Sequence, residues 1–220
     1  MRRRLEAMHP RKGRGVIFAA NIAVMALSLS ACGSLLETDV PAPTIYILKS
    51  APEAANAAPI QNADLAITLA EATPGLNTER IAVLHEGRRL DYYLNAQWGA
   101  ALPQVVQAVV VGSLQNQKLF RNVATEQARV NTNYWLELEV RDFQAEYEAE
   151  GSIPTVRVTL VGSLIRIKDR KLLGVMPATV TVKPTENRLG ATVAAFESAA
   201  QQAALSLGTQ VGAAIRNAAE

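Results

Sequence analysis

The 220-residue chain carries few reactive side chains, and they are easily enumerated: one cysteine, Cys32, and two histidines, His9 and His85. A single thiol permits no internal disulfide and no cysteine-based zinc cluster. A Ser-His-Asp relay needs a histidine beside an activated serine, and once the basic N-terminal stretch is set aside only His85 remains. Neither Gly112-Ser113-Leu114 nor Gly162-Ser163-Leu164 completes the Gly-x-Ser-x-Gly turn that presents such a serine. His85 is followed by Glu86 and Gly87, which reads as a solvated turn; the competing reading is a hydrolase working through His85. Glu146, Glu148 and Glu150 alternate as a solvated strand face rather than forming an Asp/Gly calcium loop. The phosphate-cradling Gly-x-x-x-x-Gly-Lys and Gly-x-Gly-x-x-Gly loops are missing. The expectation is a non-enzyme with no metal and no cofactor.

Cys32 has a more specific context. Upstream of it, residues 1–31 hold six basic residues (Arg2, Arg3, Arg4, Arg11, Lys12, Arg14) against one acid, Glu6. A 14-residue apolar run from Val16 to Leu29 follows, broken only by Asn21 and Ser28. A spanning helix needs about 20 apolar residues, so a basic start, a short apolar run and small residues fit a cleaved secretory signal; the competing reading is a retained anchor. Leu29-Ser30-Ala31-Cys32 resembles a bacterial lipobox, in which small residues fit the signal peptidase and the thiol becomes a diacylglycerol thioether. On that resemblance residues 1–31 are a lipoprotein signal peptide and the mature chain starts at an acylated Cys32, with 189 residues. Several acyl chains together anchor stably where one is marginal. Gly33, rather than Asp, after the cysteine resembles outer-membrane sorting in Gram-negative bacteria, which places the protein on the outer membrane facing the periplasm. The arginines near Met1 lack the context of a twin-arginine signal, so the general secretory route is expected.

Without the signal, the formal charge of +2 becomes 16 basic against 19 acidic residues, net −3. Nucleic-acid binding requires clustered Lys/Arg to neutralise phosphates, so no nucleic-acid partner is expected.

The remaining pattern describes elements that must present a surface. Residues 32–63 hold Pro41, Pro43, Pro52 and Pro59 and an Ala-rich stretch, with one apolar island at 44–48, and read as a tether with one short edge strand. The folded domain is expected at 64–220. Leu65–Leu69, Arg80–Leu84 and Leu90–Leu94 read as short strands. A helix from about Ala100 to Gln117 places Leu102, Val106, Val109, Val110 and Leu114 on one face. Leu136, Leu138 and Val140 alternate with polar residues, and after Asp142 the parity flips to Phe143, Ala145 and Tyr147, which predicts a bulge. Strands at 155–168 and 172–183, joined by Asp169-Arg170-Lys171, complete an antiparallel meander. An Ala-rich helix spans 192–217, with Gly208 and Gly212 expected to admit another backbone, either within the chain or from a second copy. The fold class is a single α/β or α+β domain with a mixed sheet, the meander and two packed helices.

Arg80–Leu84, then Arg88–Trp98 with its aromatic pair Tyr92-Tyr93, then Leu102-Pro103 opening a helix are similar to the ABC-type transport auxiliary lipoproteins, from about Thr44 to the C-terminal helix. That resemblance implies a lipid-anchored accessory that docks on an MCE-domain protein of an ABC transporter and helps move lipids between the inner and outer membranes. The alternative is an envelope-assembly or integrity scaffold. Tyr92, Tyr93 and Trp98 are candidates for a partner-contact patch, since aromatic residues dominate interface energetics; the alternative is that at least two of them pack the core beneath the helix at 100–117.

Overall fold

The computed structural model describes residues 41–55 and 61–218. Those from Ala42 onward fall in one compact unit. The elements are β1 (Thr44–Tyr46), β2 (Gln61–Ile67), β3 (Glu71–Ala72), β4 (Arg80–His85), β5 (Arg89–Trp98), α1 (Leu102–Gln117), β6 (Phe120–Thr125), β7 (Tyr134–Tyr147), β8 (Thr155–Arg166), β9 (Lys171–Val182) and α2 (Leu189–Asn217). The fold is α+β: one mixed sheet of nine strands with two helices packed on it.

The 14-residue strand β7 organises the sheet. One of its edges pairs antiparallel with β8 along almost its whole length, and β8 in turn with β9, forming the expected meander. The other edge receives β2, β3 and β4 in succession, all parallel: Leu65 to Ile67 lie against Tyr134 to Leu136, Glu71 and Ala72 against Glu139 and Val140, and Ala82 to His85 against Gln144 to Tyr147. At one end β6 extends the sheet beyond β2; at the other β5 and then β1 extend it beyond β4. The parity flip after Asp142 is a register shift between Val140 and Asp142, so Leu136, Leu138, Val140, Phe143 and Ala145 all face the core.

The apolar stripes of both helices are buried as their spacing requires. Pro103 stands in the first turn of α1, where its missing N–H has no partner to lose. In α2, Phe196 stacks on Phe143 at 5.1 Å between centroids. Gly208 sits where an added Cβ would collide with Leu114 of α1, and at Gly212 it would meet the Gln61 side chain. The two glycines therefore serve close approach within the chain, the first of the two alternatives their placement allowed. The two Gly-Ser-Leu segments lie once in α1 and once in β8 and mark no repeated unit.

Two strands were not anticipated. β6 reads FRNVAT, with its buried Phe120 and Val123 three residues apart rather than two, and β3 has only two residues. Both are held by strand neighbours rather than by a local pattern. The Pro/Ala stretch after β1, expected as linker, is laid along the helices as far as it is described. Ala51 is 1% exposed, its N–H donates to Ser113 Oγ at 2.9 Å, and Asn116 Nδ2 donates to its carbonyl at 2.7 Å. Small side chains permit this: a Cβ at Gly112 would collide with Ser50.

Candidate functional site

Leu29, Ser30, Ala31 and Cys32 lie outside the described residues. The aromatic trio lies within them and does not form a patch. Trp98 is 1% exposed and meets Phe143 and Phe196 edge-on at 5.9 and 5.4 Å. Its placement follows from an irregularity in β5. Ala82 pairs with Tyr92 but Arg80 pairs with Gln97, so β5 carries extra residues there, and Asn95 takes a left-handed conformation with φ 52°. The shift turns Ala96 and Trp98 inward. Trp98 as a contact residue is thus corrected: it is core. Tyr92 is half-buried, lies under the Arg80 guanidinium at 3.9 Å, and donates its hydroxyl to the Gly75 carbonyl at 2.9 Å. Tyr93 is half-buried elsewhere, its hydroxyl 2.9 Å from that of Tyr147. Burial first, and then the Tyr147 hydroxyl, hold its phenol well above the usual range. Both tyrosines tie elements together.

His85, partly buried at the end of β4, stacks on Tyr147 with 5.5 Å between ring centroids. It lines a cleft of about 380 Å³ with Glu86, Arg89, Tyr147, Ala149 and Glu150, which contains no serine or cysteine to activate. The turn after it has left-handed Glu86 and Gly87, as its composition implied. Among the described residues no three His, Cys, Asp or Glu side chains converge as metal ligands. Glu146 is held by Arg157 through two bonds, 2.8 and 3.1 Å, so it belongs to a structural pair rather than a free acidic edge.

The remaining hollows divide by chemistry. A cleft of about 430 Å³ on the open sheet face is lined by Glu71, Glu126, Glu137 and Glu139 among others. One of about 540 Å³ at the β6 end carries Arg121, Arg166 and Lys168, of which Arg121 pairs with the buried Asp64 and Arg166 with Asp169. The apolar hollow differs. It encloses about 230 Å³ between β1 and α1 and is lined by Ile47, Leu48, Gly99, Ala100, Gln104, Val105 and Ala108, none of them charged.

This hollow borders the outer edge of the sheet. β1 pairs only with β5, in parallel from Thr44 against Ala96 to Tyr46 against Trp98, and the Gly99 N–H donates to the Tyr46 carbonyl at 2.9 Å. Tyr46 and Leu48 pack on the core. Alternation then turns Ile45 and Ile47 outward, 62% and 70% exposed. Both gather over Gly99, where a Cβ would lie 3.3 Å from Ile47 Cγ2 and 3.7 Å from Ile45 Cγ2. Leu94, 85% exposed, stands at the β5 irregularity nearby in sequence. The island at 44–48 announced the strand; that both of its faces are apolar and one is open was visible only once β1 had a neighbour.

No helix among the described residues is long and apolar enough to cross a membrane. Comparison with curated proteins gives no match. Among solved structures, a Xanthomonas campestris protein of the DUF330 family is similar over 80% of this chain and 98% of its own, at 23% identity and a TM-score of 0.72. A second, described as an uncharacterized protein, is similar over 78% and 99%, at 16% identity and a TM-score of 0.62. At these identities the likeness concerns the fold. The sequence match is more specific: a family model described as ABC-type transport auxiliary lipoprotein component covers residues 46–207, from β1 through most of α2. The element order and the sequence match therefore converge, and the chain belongs to the ABC-type transport auxiliary lipoprotein component family.

Proposed function

We propose that this protein is a non-catalytic accessory subunit of an MCE-type ABC transport system, anchored through acylated Cys32 to the outer membrane and facing the periplasm, where it helps move lipids or related hydrophobic compounds between the two membranes. The observation that carries this reading is the joining of a lipobox-like Leu29-Ser30-Ala31-Cys32 to a folded unit matching the transport auxiliary family over residues 46–207. Such a role needs an anchor, a spacer and a rigid docking surface. Cys32, the residues between it and β1, and the nine-stranded sheet with its helices are the candidates for each. The polar ends of the family's work, nucleotide binding and hydrolysis, fall to a partner, since no phosphate-binding loop occurs in the sequence.

Affinity capture of the membrane-anchored protein from its native envelope in mild detergent, with mass spectrometry of co-purifying proteins and lipids, tests the assignment. Recovery of an MCE-domain protein with its permease or ATPase is the expected result. Recovery of envelope-assembly or cell-wall proteins alone, across several detergents, would replace transport with a scaffold role.

A further inference from the structure

The outward face of β1 and the hollow beside it have a chemistry that specifies an occupant. The lining is aliphatic or small, with Gln104 the single polar member and no charge. Protein interfaces concentrate aromatic residues, Met and Arg at their centres, and none of these lines the hollow. An aliphatic concavity without directional donors suits acyl chains, which ask for no directional partner. An edge strand with apolar residues on both faces is also an aggregation liability unless something covers it.

The covalent chain supplies the second argument. Twelve residue steps separate Cys32 from Thr44, a reach of at most about 43 Å even when fully extended. Among the described residues β1 is the first strand after the cysteine, so Ile45 and Ile47 are the described exposed large apolar side chains nearest to Cys32 along the chain. We propose that the Ile45–Ile47 edge and the adjoining α1 hollow rest in the lipid surface to which Cys32 is tethered, at the level where headgroups meet acyl chains. The proposal rests on the lipoprotein reading of Cys32. Seating there fixes the orientation of the sheet on the membrane.

The test uses the full lipidated protein in phosphatidylethanolamine and phosphatidylglycerol vesicles, with an environment-sensitive fluorophore on Ile47→Cys or, as a reference, on the exposed Gln202→Cys of α2. Acylation occupies Cys32, so the introduced thiol is the one labelled. Flotation with the vesicles is scored first, and failure to float overturns the anchor and this proposal together. Given flotation, the expected result is a blue-shifted probe at 47 quenched several-fold more by nitroxide-labelled lipids than the probe at 202. Equal, weak quenching at both positions overturns the lipid seat while leaving the anchor and the transport reading intact. A blue shift at 47 that grows with protein density and ignores the quencher assigns the face to a second copy, and one that appears only on adding an MCE-domain protein assigns it to that partner; either overturns the proposal. Ile45→Cys serves as the second probe should Ile47→Cys fail to keep the parent melting temperature.

Discussion

Trp98→Ala separates a core from a docking role for the aromatic segment of β5. The side chain is 1% exposed and stands edge-on to two phenylalanines, at 5.9 Å from Phe143 on β7 and 5.4 Å from Phe196 on α2. It therefore joins the sheet to the long helix. Emptying a site of this size costs about 3–5 kcal/mol, the lost transfer free energy plus a cavity that stiff aromatic neighbours close poorly. In a folded unit of 150–250 residues each kcal/mol shifts Tm by about 2–4 °C, so the variant is expected to melt about 6–20 °C below the parent. Thermal unfolding followed by circular dichroism on the detergent-solubilised lipoprotein measures this, and partner capture below the variant's Tm accompanies it. The expected outcome is a large drop in Tm with capture retained. A Tm within about 2 °C of the parent, about a third of the smallest drop expected, together with lost capture, would refute the core assignment and return Trp98 to a contact surface.

Cys32→Ser removes the thiol that acylation requires, and is expected to move the protein from the membrane fraction to the soluble periplasm, checked by fractionation and by loss of metabolic palmitate labelling. Gly208→Ala gains about 1 kcal/mol of helix propensity, yet its Cβ collides with the buried Leu114. Overpacking of about 1–3 kcal/mol should therefore make it neutral to destabilising in denaturant titration, and with Leu114→Ala the double variant should be less destabilised than the two single losses added. Asp169 accepts two bonds from Arg166, 3.0 and 2.7 Å, and these hold its carboxyl at about 2 against the usual 3.8. A depressed acid stabilises the fold above its unfolded pKa, so this contribution is intact above pH 3.8 and is lost between pH 3.8 and about 2. Asp64, buried and lowered chiefly by its bond from Arg121, acts in the same direction. Arg121→Gln should therefore shift the acid-unfolding midpoint upward, and Asp64→Asn should flatten the slope that remains.

The sequence determined what local periodicity and covalent chemistry can determine. The 3.6-residue stripes of α1 and α2 and the two-residue alternation of β7 each require one apolar face, so those elements and their buried residues were legible, including the bulge at Asp142 that the parity flip announced. The proposed acylation of Cys32 rests on a contiguous lipobox-like segment, Leu29-Ser30-Ala31-Cys32, which needs no tertiary contact to be read. Tertiary structure decided the rest, because pairing sets one stretch against another far away in the chain. β3 and β6 are strands because β7 and β2 offer them partners. The described part of the Pro/Ala stretch after β1 lies on the helices because glycine at 112 and Ser113 make room and a hydrogen bond for it. Trp98 faces inward and Tyr92 does not form a patch with it because extra residues at Asn95 rotate the strand between them. Ile45 and Ile47 point outward because β1 can expose only one of two apolar faces, and its neighbours cover the face of Tyr46 and Leu48.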